Sequence, residues 1–195
     1  FTKQTRSDAT IAPGYGEKDL STNVYRLRVL DSLGVKYILD RAENGSTGQT
    51  FPPERFTKIY DKDGWKIMEN KKAASRIFLA SSYQIFHNNE EFNKIFFDKD
   101  FNPTQTILLE ESLPHELEKG SNPDSLQLIE YDPNDVSIKT KTDGNRLLFL
   151  SDTFYPGWKA FIDEEETKIY RANYAFRAIS VPGGEHAIRF TFDPI

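Results

Sequence analysis

The 195-residue chain carries 25 Lys and Arg against 30 Asp and Glu, 13% aromatic residues, one Met and no Cys. A net charge of −5 argues against a nucleic-acid binder, which needs a basic face to displace counterions from phosphates. Without Cys there is no disulfide framework, thiolate zinc site or thiol nucleophile; the aromatic content is too high for a disordered tail, and no apolar run approaches the roughly 20 residues that span a bilayer.

The chain opens on Phe1 rather than Met, with no signal-peptide pattern behind it, and closes directly after a strand-like run. Both ends fit an excised piece of a longer polypeptide. Residues 1–20, with Pro13 and Gly14-Tyr15-Gly16, read as a loosely ordered lead-in. From Asn23 to Leu33, apolar residues at 24, 27, 30 and 33 share one helical face, and Gly34 supplies a left-handed stop. A short strand follows at residues 35–39. After a loop over 40–54, the runs 56–60 and 65–69 flank Asp61-Lys62-Asp63-Gly64, a hairpin signal. Residues 76–80 read as a strand, 90–97 as a short helix with an acidic start, 104–110 as a strand and 114–122 as a polar connection.

The texture changes at Leu126. Seven short runs rich in β-branched and aromatic residues follow, at 126–131, 136–141, 146–151, 157–162, 167–170, 175–181 and 186–192. Turn chemistry such as Asp143-Gly144 and Pro182-Gly183-Gly184 separates several of them. Strands at this spacing predict a mainly β (α+β) protein, an antiparallel β-sandwich of jelly-roll or immunoglobulin-like type. One or two short helices belong to its N-terminal half. The expected organisation is a lead-in over 1–20, an α+β part over 21–122 and a sandwich part over 126–195, packed as one compact unit.

Candidate chemistry is sparse. His87, His115 and His186 fall in different elements, none with a second ligand at metal spacing. Asp61-Lys62-Asp63-Gly64 lacks the distal acidic ligand of a calcium loop. Glu110-Glu111 and the run 163–166 offer paired carboxylates, but adjacent acids at a turn are ordinarily solvated, whereas glycosidase chemistry needs them facing each other across a cleft. Nucleophile elbow, phosphate-cradling Gly loop and dinucleotide fingerprint are all missing from the sequence. Neither a catalytic residue nor a cofactor nor a metal is expected.

The aromatic cluster is more informative. Phe154-Tyr155-Pro156-Gly157-Trp158 is followed by Tyr170-Arg171-Ala172-Asn173-Tyr174-Ala175-Phe176-Arg177. Aromatic faces beside Arg, Asn and Asp suit a sugar, through stacking on C–H faces and hydrogen bonds to hydroxyls. The same composition also suits a sandwich rim packed by its own loops. Candidate ligand-binding residues are Asp152, Tyr155, Trp158, Arg171, Asn173, Tyr174 and Arg177.

The segments 147–163, 170–179 and 181–186 together resemble the C-terminal part of YfhO-type bacterial membrane proteins. Leu33 to Leu39 and Ser75 to Ala80 are similar to that family's upstream signatures, in matching order. Two positions depart from its pattern: Asp163-Glu164 stands where Asp-Gly is usual, which implies a different turn, and Ser75 stands where Pro is usual. The resemblance implies a polytopic protein similar to GT-C glycosyltransferases, which move sugars from lipid-phosphate carriers onto cell-envelope polymers. This piece would be an extracytoplasmic domain, with Asp193-Pro194-Ile195 just ahead of a membrane helix. The acidic residues tied to catalysis in such enzymes lie on loops outside this piece. Implied partners are its own transmembrane region and a cell-envelope glycan or polymer. The alternative is an assembly domain docking on its own membrane part or on a partner protein, with no ligand of its own; a third reading makes the piece itself a carbohydrate-active enzyme.

Overall fold

In the computed structural model, residues 24–41, 50–118 and 120–194 are described. The lead-in over 1–20 lies outside them. The chain divides into two compact units, residues 1–75 and 76–195.

In the first unit, helix α1 (Val24–Ser32) precedes a three-stranded antiparallel sheet: β1 (Tyr37–Arg41), β2 (Phe56–Lys62) and β3 (Trp65–Asn70), in the order β1-β3-β2. Helix α1 stops as its glycine predicts. Gly34 takes φ 67°, its N–H donates to the Asp31 carbonyl, and the Val35 N–H reaches back to the Leu30 carbonyl. This is the paired end closure that a left-handed residue permits. Asp31 then ties the helix to the sheet, accepting from Asn70 Nδ2 at 2.9 Å and from Arg55. Asn70 also donates to the Val35 carbonyl and accepts from the Lys72 N–H. The β2–β3 turn places Asp63 and Gly64 at φ 53° and 76°, the geometry a two-residue hairpin demands.

The second unit holds two sheets. One runs β11-β10-β14-β8-β7, from β7 (Ser125–Asp132), β8 (Asp135–Thr142), β10 (Trp158–Ile162), β11 (Glu165–Thr167) and β14 (Gly184–Phe192). The other runs β4-β9-β13-β12-β6-β5, from β4 (Ile77–Ala80), β5 (Ser82–Ile85), β6 (Thr106–Leu109), β9 (Arg146–Thr153), β12 (Tyr170–Ala172) and β13 (Phe176–Val181). Pairing is antiparallel except between β5 and β6, which are parallel and joined through helix α2 (Asn89–Phe96). The strand signal at 82–85 is too short to read, yet a parallel crossover through a helix requires it. Residues 167–170, which read as one run, split between β11 and β12, because the chain there leaves one sheet for the other.

The two sheets pack face to face, as the sandwich expectation requires. Leu148, Leu150, Ile179 and Val181 of one meet Val136, Ile138, Ala160, Ile188 and Phe190 of the other. Strand β14 alternates as its sequence predicts, with Ile188 and Phe190 buried and Arg189 exposed. Strand β9 does not alternate, because its sheet is covered on both sides. Leu147 and Phe149 face away from the sandwich interior into a second cluster with Ile107, Leu109, Phe176 and Leu113. Helix α2 is capped by Asn88, whose Oδ1 accepts from the Glu91 N–H at 2.9 Å. It buries Phe92 and Phe96, whose rings stack at 5.0 Å.

One carboxylate gathers much of the connection preceding β7. Asp143 accepts from the backbone and side chains of both Ser121 and Asn122, and these bonds, led by the Asn122 N–H, hold it down at about 2 from an ordinary 3.8. A folded value below the unfolded one contributes stability above the unfolded value and loses it as pH falls. Asp143→Asn is therefore expected to weaken the fold at neutral pH and to flatten its loss of stability between about pH 4 and pH 2. Urea unfolding across that window checks it; parallel curves for the two proteins would refute the assignment.

The β10–β11 turn yields a second prediction. Ile162 pairs with Glu165, and the two turn residues Asp163 and Glu164 both adopt positive φ, 49° and 70°. The Asp-Gly geometry is thus kept despite the missing glycine, so the expectation of a different turn is corrected: hairpin twist dictates the turn, and Glu164 bears the left-handed strain. Glu164→Gly is expected to raise stability by about 0.5–1 kcal/mol, the relieved strain less the added freedom of the unfolded chain. Unchanged or lower stability would mean that Glu164 carries no strain.

Candidate functional site

The most unusual chemistry of the second unit lies where β9, β13 and β10 converge. Arg177 sits on the same face of β13 as Ile179, inside the sandwich, and is 3% exposed. Its guanidinium carbon lies 3.9 Å from the Trp158 ring centroid and 5.8 Å from that of Phe190, both on the opposing sheet. A cation over an indole face is attracted by the ring quadrupole, and more strongly where water is excluded.

One carboxylate answers this charge. The β9–β13 register shifts between Phe176 and Arg177, which pair with Thr153 and Leu150. Ser151 and Asp152 are thereby released from the ladder, and Asp152 Oδ2 comes 3.1 Å from Arg177 Nη2. Bulges characteristically re-aim side chains in this way. Tyr131 donates its hydroxyl to Asp152 from β7, and Arg76 reaches both groups, its guanidinium 5.0 Å from the Tyr131 ring. Burial pushes the Arg177 guanidinium down, opposed by the Asp152 charge. Burial, then the bond to Asp152, pushes the Tyr131 phenol up. Arg177 Nε and Nη1 have no hydrogen-bond partner and lie among aromatic rings instead.

Around this centre the aromatic rim opens to solvent. The Trp158 ring is 5.5 Å from Phe192, which is 6.4 Å from Tyr155. Tyr155 is 62% exposed. Gly157 takes φ 98°, and a Cβ there would come 2.8 Å from the Phe192 ring, so this turn has no room for a side chain. Arg171 pairs in register with Arg177 but is exposed, stacked 5.2 Å from the Phe154 ring and 3.6 Å from Glu110.

Of the seven residues singled out in the sequence, Asp152, Trp158 and Arg177 meet directly, and Tyr155 joins them through Phe192. Arg171 flanks them with Phe154. Asn173 is fully buried: its N–H donates to the Leu108 carbonyl and its Oδ1 accepts from the Leu108 N–H, so it extends β12 toward β6. Tyr174 packs 5.4 Å from Phe92 of α2. Both residues occupy a left-handed turn, at φ 44° and 76°. Arg76, Tyr131 and Phe192 were not anticipated, since nothing local in the sequence ties Arg76 to a carboxylate 76 positions away.

The paired acids do different work. Glu110 and Glu111 pair with Arg171 and Lys168. Asp163 accepts from the His186 ring at 2.6 Å and from the Ala187 N–H at 2.8 Å, and these bonds hold it below its ordinary value, the opposite of what a general acid needs. Among the described residues no group of three or more His, Asp and Glu gathers at metal-binding geometry. Two shallow surface concavities, one of 410 Å³ beside Lys94 and Phe101 and one of 300 Å³ beside Lys139 and His186, take no side chain from the aromatic rim.

Two packed sheets joined by this charged and aromatic contact define the second unit as a β-sandwich module. Residues 108–195 match the family described as bacterial membrane protein YfhO, and this stretch is a YfhO-type domain. No curated protein and no solved structure gives a significant match. Among the described residues no helix is long and apolar enough to cross a membrane. The match over residues 108–195 supports a module associated with a bacterial membrane protein.

The Arg177–Asp152 contact predicts strong coupling. Asp152→Ala is expected to cost about 3 kcal/mol, because it strands a buried guanidinium without its carboxylate. Adding Arg177→Leu should recover part of that loss in urea unfolding. Losses that simply add would show that the two groups act independently.

Proposed function

We propose that the chain is the non-catalytic extracytoplasmic module of a multi-pass membrane protein engaged in cell-envelope glycosylation, and that its aromatic rim contacts the acceptor glycan or polymer. The observation that carries this reading is the exposed Tyr155 continuing through Phe192 to Trp158, with Arg171 and Phe154 alongside. Such an array offers flat apolar faces to sugar C–H groups and a guanidinium to hydroxyls or phosphates. Asp152 and Arg177 stand behind the rim and hold Trp158 in place, with Asn173 and Tyr174 fixing the turn between β12 and β13. The YfhO-type match supports the membrane-protein setting.

A second reading, an assembly domain that docks on its own membrane part or on a partner protein, draws on a different observation. Trp158 has one face against Arg177 and packs on the sandwich core, so much of the ring is already engaged. Tyr155→Ala separates the two. As an exposed position it should change stability by less than about 0.5 kcal/mol. On the first reading it weakens the response of amide shifts to teichoic-acid or cell-wall glycan fragments. On the second, those fragments cause no shift near Trp158 in the unaltered protein, and Tyr155→Ala instead impairs assembly of the parent. Trp158→Ala should cost about 3–5 kcal/mol in either case, because it removes a large ring packed on the core.

A further inference from the structure

The loop that joins α2 to β6 is built to hold its shape. It carries Asp98, Asp100 and Asn102 at alternate positions ahead of Pro103. Short polar side chains of this kind bond to the backbone two residues on. Asp98 Oδ1 accepts from the Asp100 N–H at 2.8 Å. Asn102 Oδ1 accepts from the Thr104 N–H at 3.0 Å and from the Thr104 hydroxyl at 2.8 Å. The Phe101 N–H donates to the Asp98 carbonyl, and the Gln105 and Thr106 N–H groups donate to the Asn102 carbonyl. The Phe101 ring is anchored 5.9 Å from that of Phe96, which is fully buried.

With the end of α2 and strand β5, this loop lines the concavity of 410 Å³, within the roughly 300–1,000 Å³ of small-ligand sites. Ile95 and Phe101 supply apolar lining, and Gln84, Asn102 and Gln105 supply three carboxamides. The side chains of Gln84, Lys94 and Gln105 bond to no described residue, and neither does Asn102 Nδ2. Charge then narrows the ligand. Asp100 is paired with Lys99 at 2.8 Å, which leaves Lys94 and Asp98 to offset one another in the lining. No surplus charge remains to answer a phosphate or an ammonium group. Gln84 and Gln105 each present a donor and an acceptor, which matches a hydroxyl that both donates and accepts, and Asn102 adds a donor. Ile95 and the Phe101 ring offer apolar surface to C–H groups. We propose that this concavity binds a neutral sugar residue, its hydroxyls held by Gln84, Asn102 and Gln105 and its C–H face against Phe101. The site shares no side chain with the rim at Tyr155 and Trp158, and does not depend on glycan binding there.

Titration of the 195-residue chain with glucose, galactose, maltose and cellobiose, followed by amide shifts, tests it. A saturable shift at Gln84 and at residues 94–106 is expected with at least one of these sugars. Gln84→Ala and Gln105→Ala should each weaken that binding by roughly three- to tenfold, the loss of one hydrogen bond. Both side chains are exposed, and an unchanged amide spectrum elsewhere shows that the variants remain folded. No saturable shift at these residues with any of the four sugars, or an affinity indifferent to both substitutions, would overturn the proposal. So would tighter binding of glucosamine or glucose 6-phosphate than of glucose, because the concavity would then select charge. Shifts near Trp158 report on the rim alone, and Tyr155→Ala should leave affinity at the concavity unchanged. The two readings therefore stand or fall separately.

Discussion

A guanidinium enclosed between two β-sheets is the constraint around which the second unit is arranged. Removing Arg177 from water carries a desolvation penalty of several kcal/mol, which aromatic faces alone do not offset. The fold therefore has to bring a carboxylate inward. Strand β9 does so by leaving its ladder at Ser151 and Asp152, and the freed Asp152 gathers Tyr131 and Arg76 as well. Trp158 is held against the cation in turn, and its neighbours Phe192 and Tyr155 carry the aromatic surface outward. The exposed rim is thus the outer edge of an internal electrostatic arrangement.

The two units each display aromatic residues next to cations, but in different ways. At the rim of the second unit the rings are backed by a buried charge and packed on the sandwich core. On the sheet of the first unit they project from strands whose other face is satisfied by α1, Asp31 and Asn70.

Much of the secondary structure was legible because local rules govern it. Gly34 ends α1, Asp63-Gly64 turns the β2–β3 hairpin, and Ile188 and Phe190 alternate along β14, each through short-range sterics or a period-two pattern. Strand β5 escaped notice because four residues carry too little pattern, whereas β9 was legible from its apolar and aromatic run although burial on both faces erases its alternation. Of the candidate site, the pairing of aromatic residues with Arg was visible as composition. Which of them meet was not: Asn173 and Arg177 are four positions apart, yet one clamps Leu108 and the other stacks on Trp158.

The sequence by itself determined a mainly β, Cys-free, mildly acidic chain with a sandwich-like second half and an aromatic–Arg segment resembling YfhO-type proteins. These follow from composition, from periodicity and from turn residues acting within a few positions of one another. Only the tertiary structure decided that Arg177 faces inward, that Asp152 is released by a bulge to meet it, and that the first unit's sheet leaves Leu39, Tyr37 and Trp65 in solvent. Those outcomes depend on strand order and register. Both are settled by contacts between residues tens of positions apart, such as Arg76 with Asp152, whose pairing no local pattern encodes.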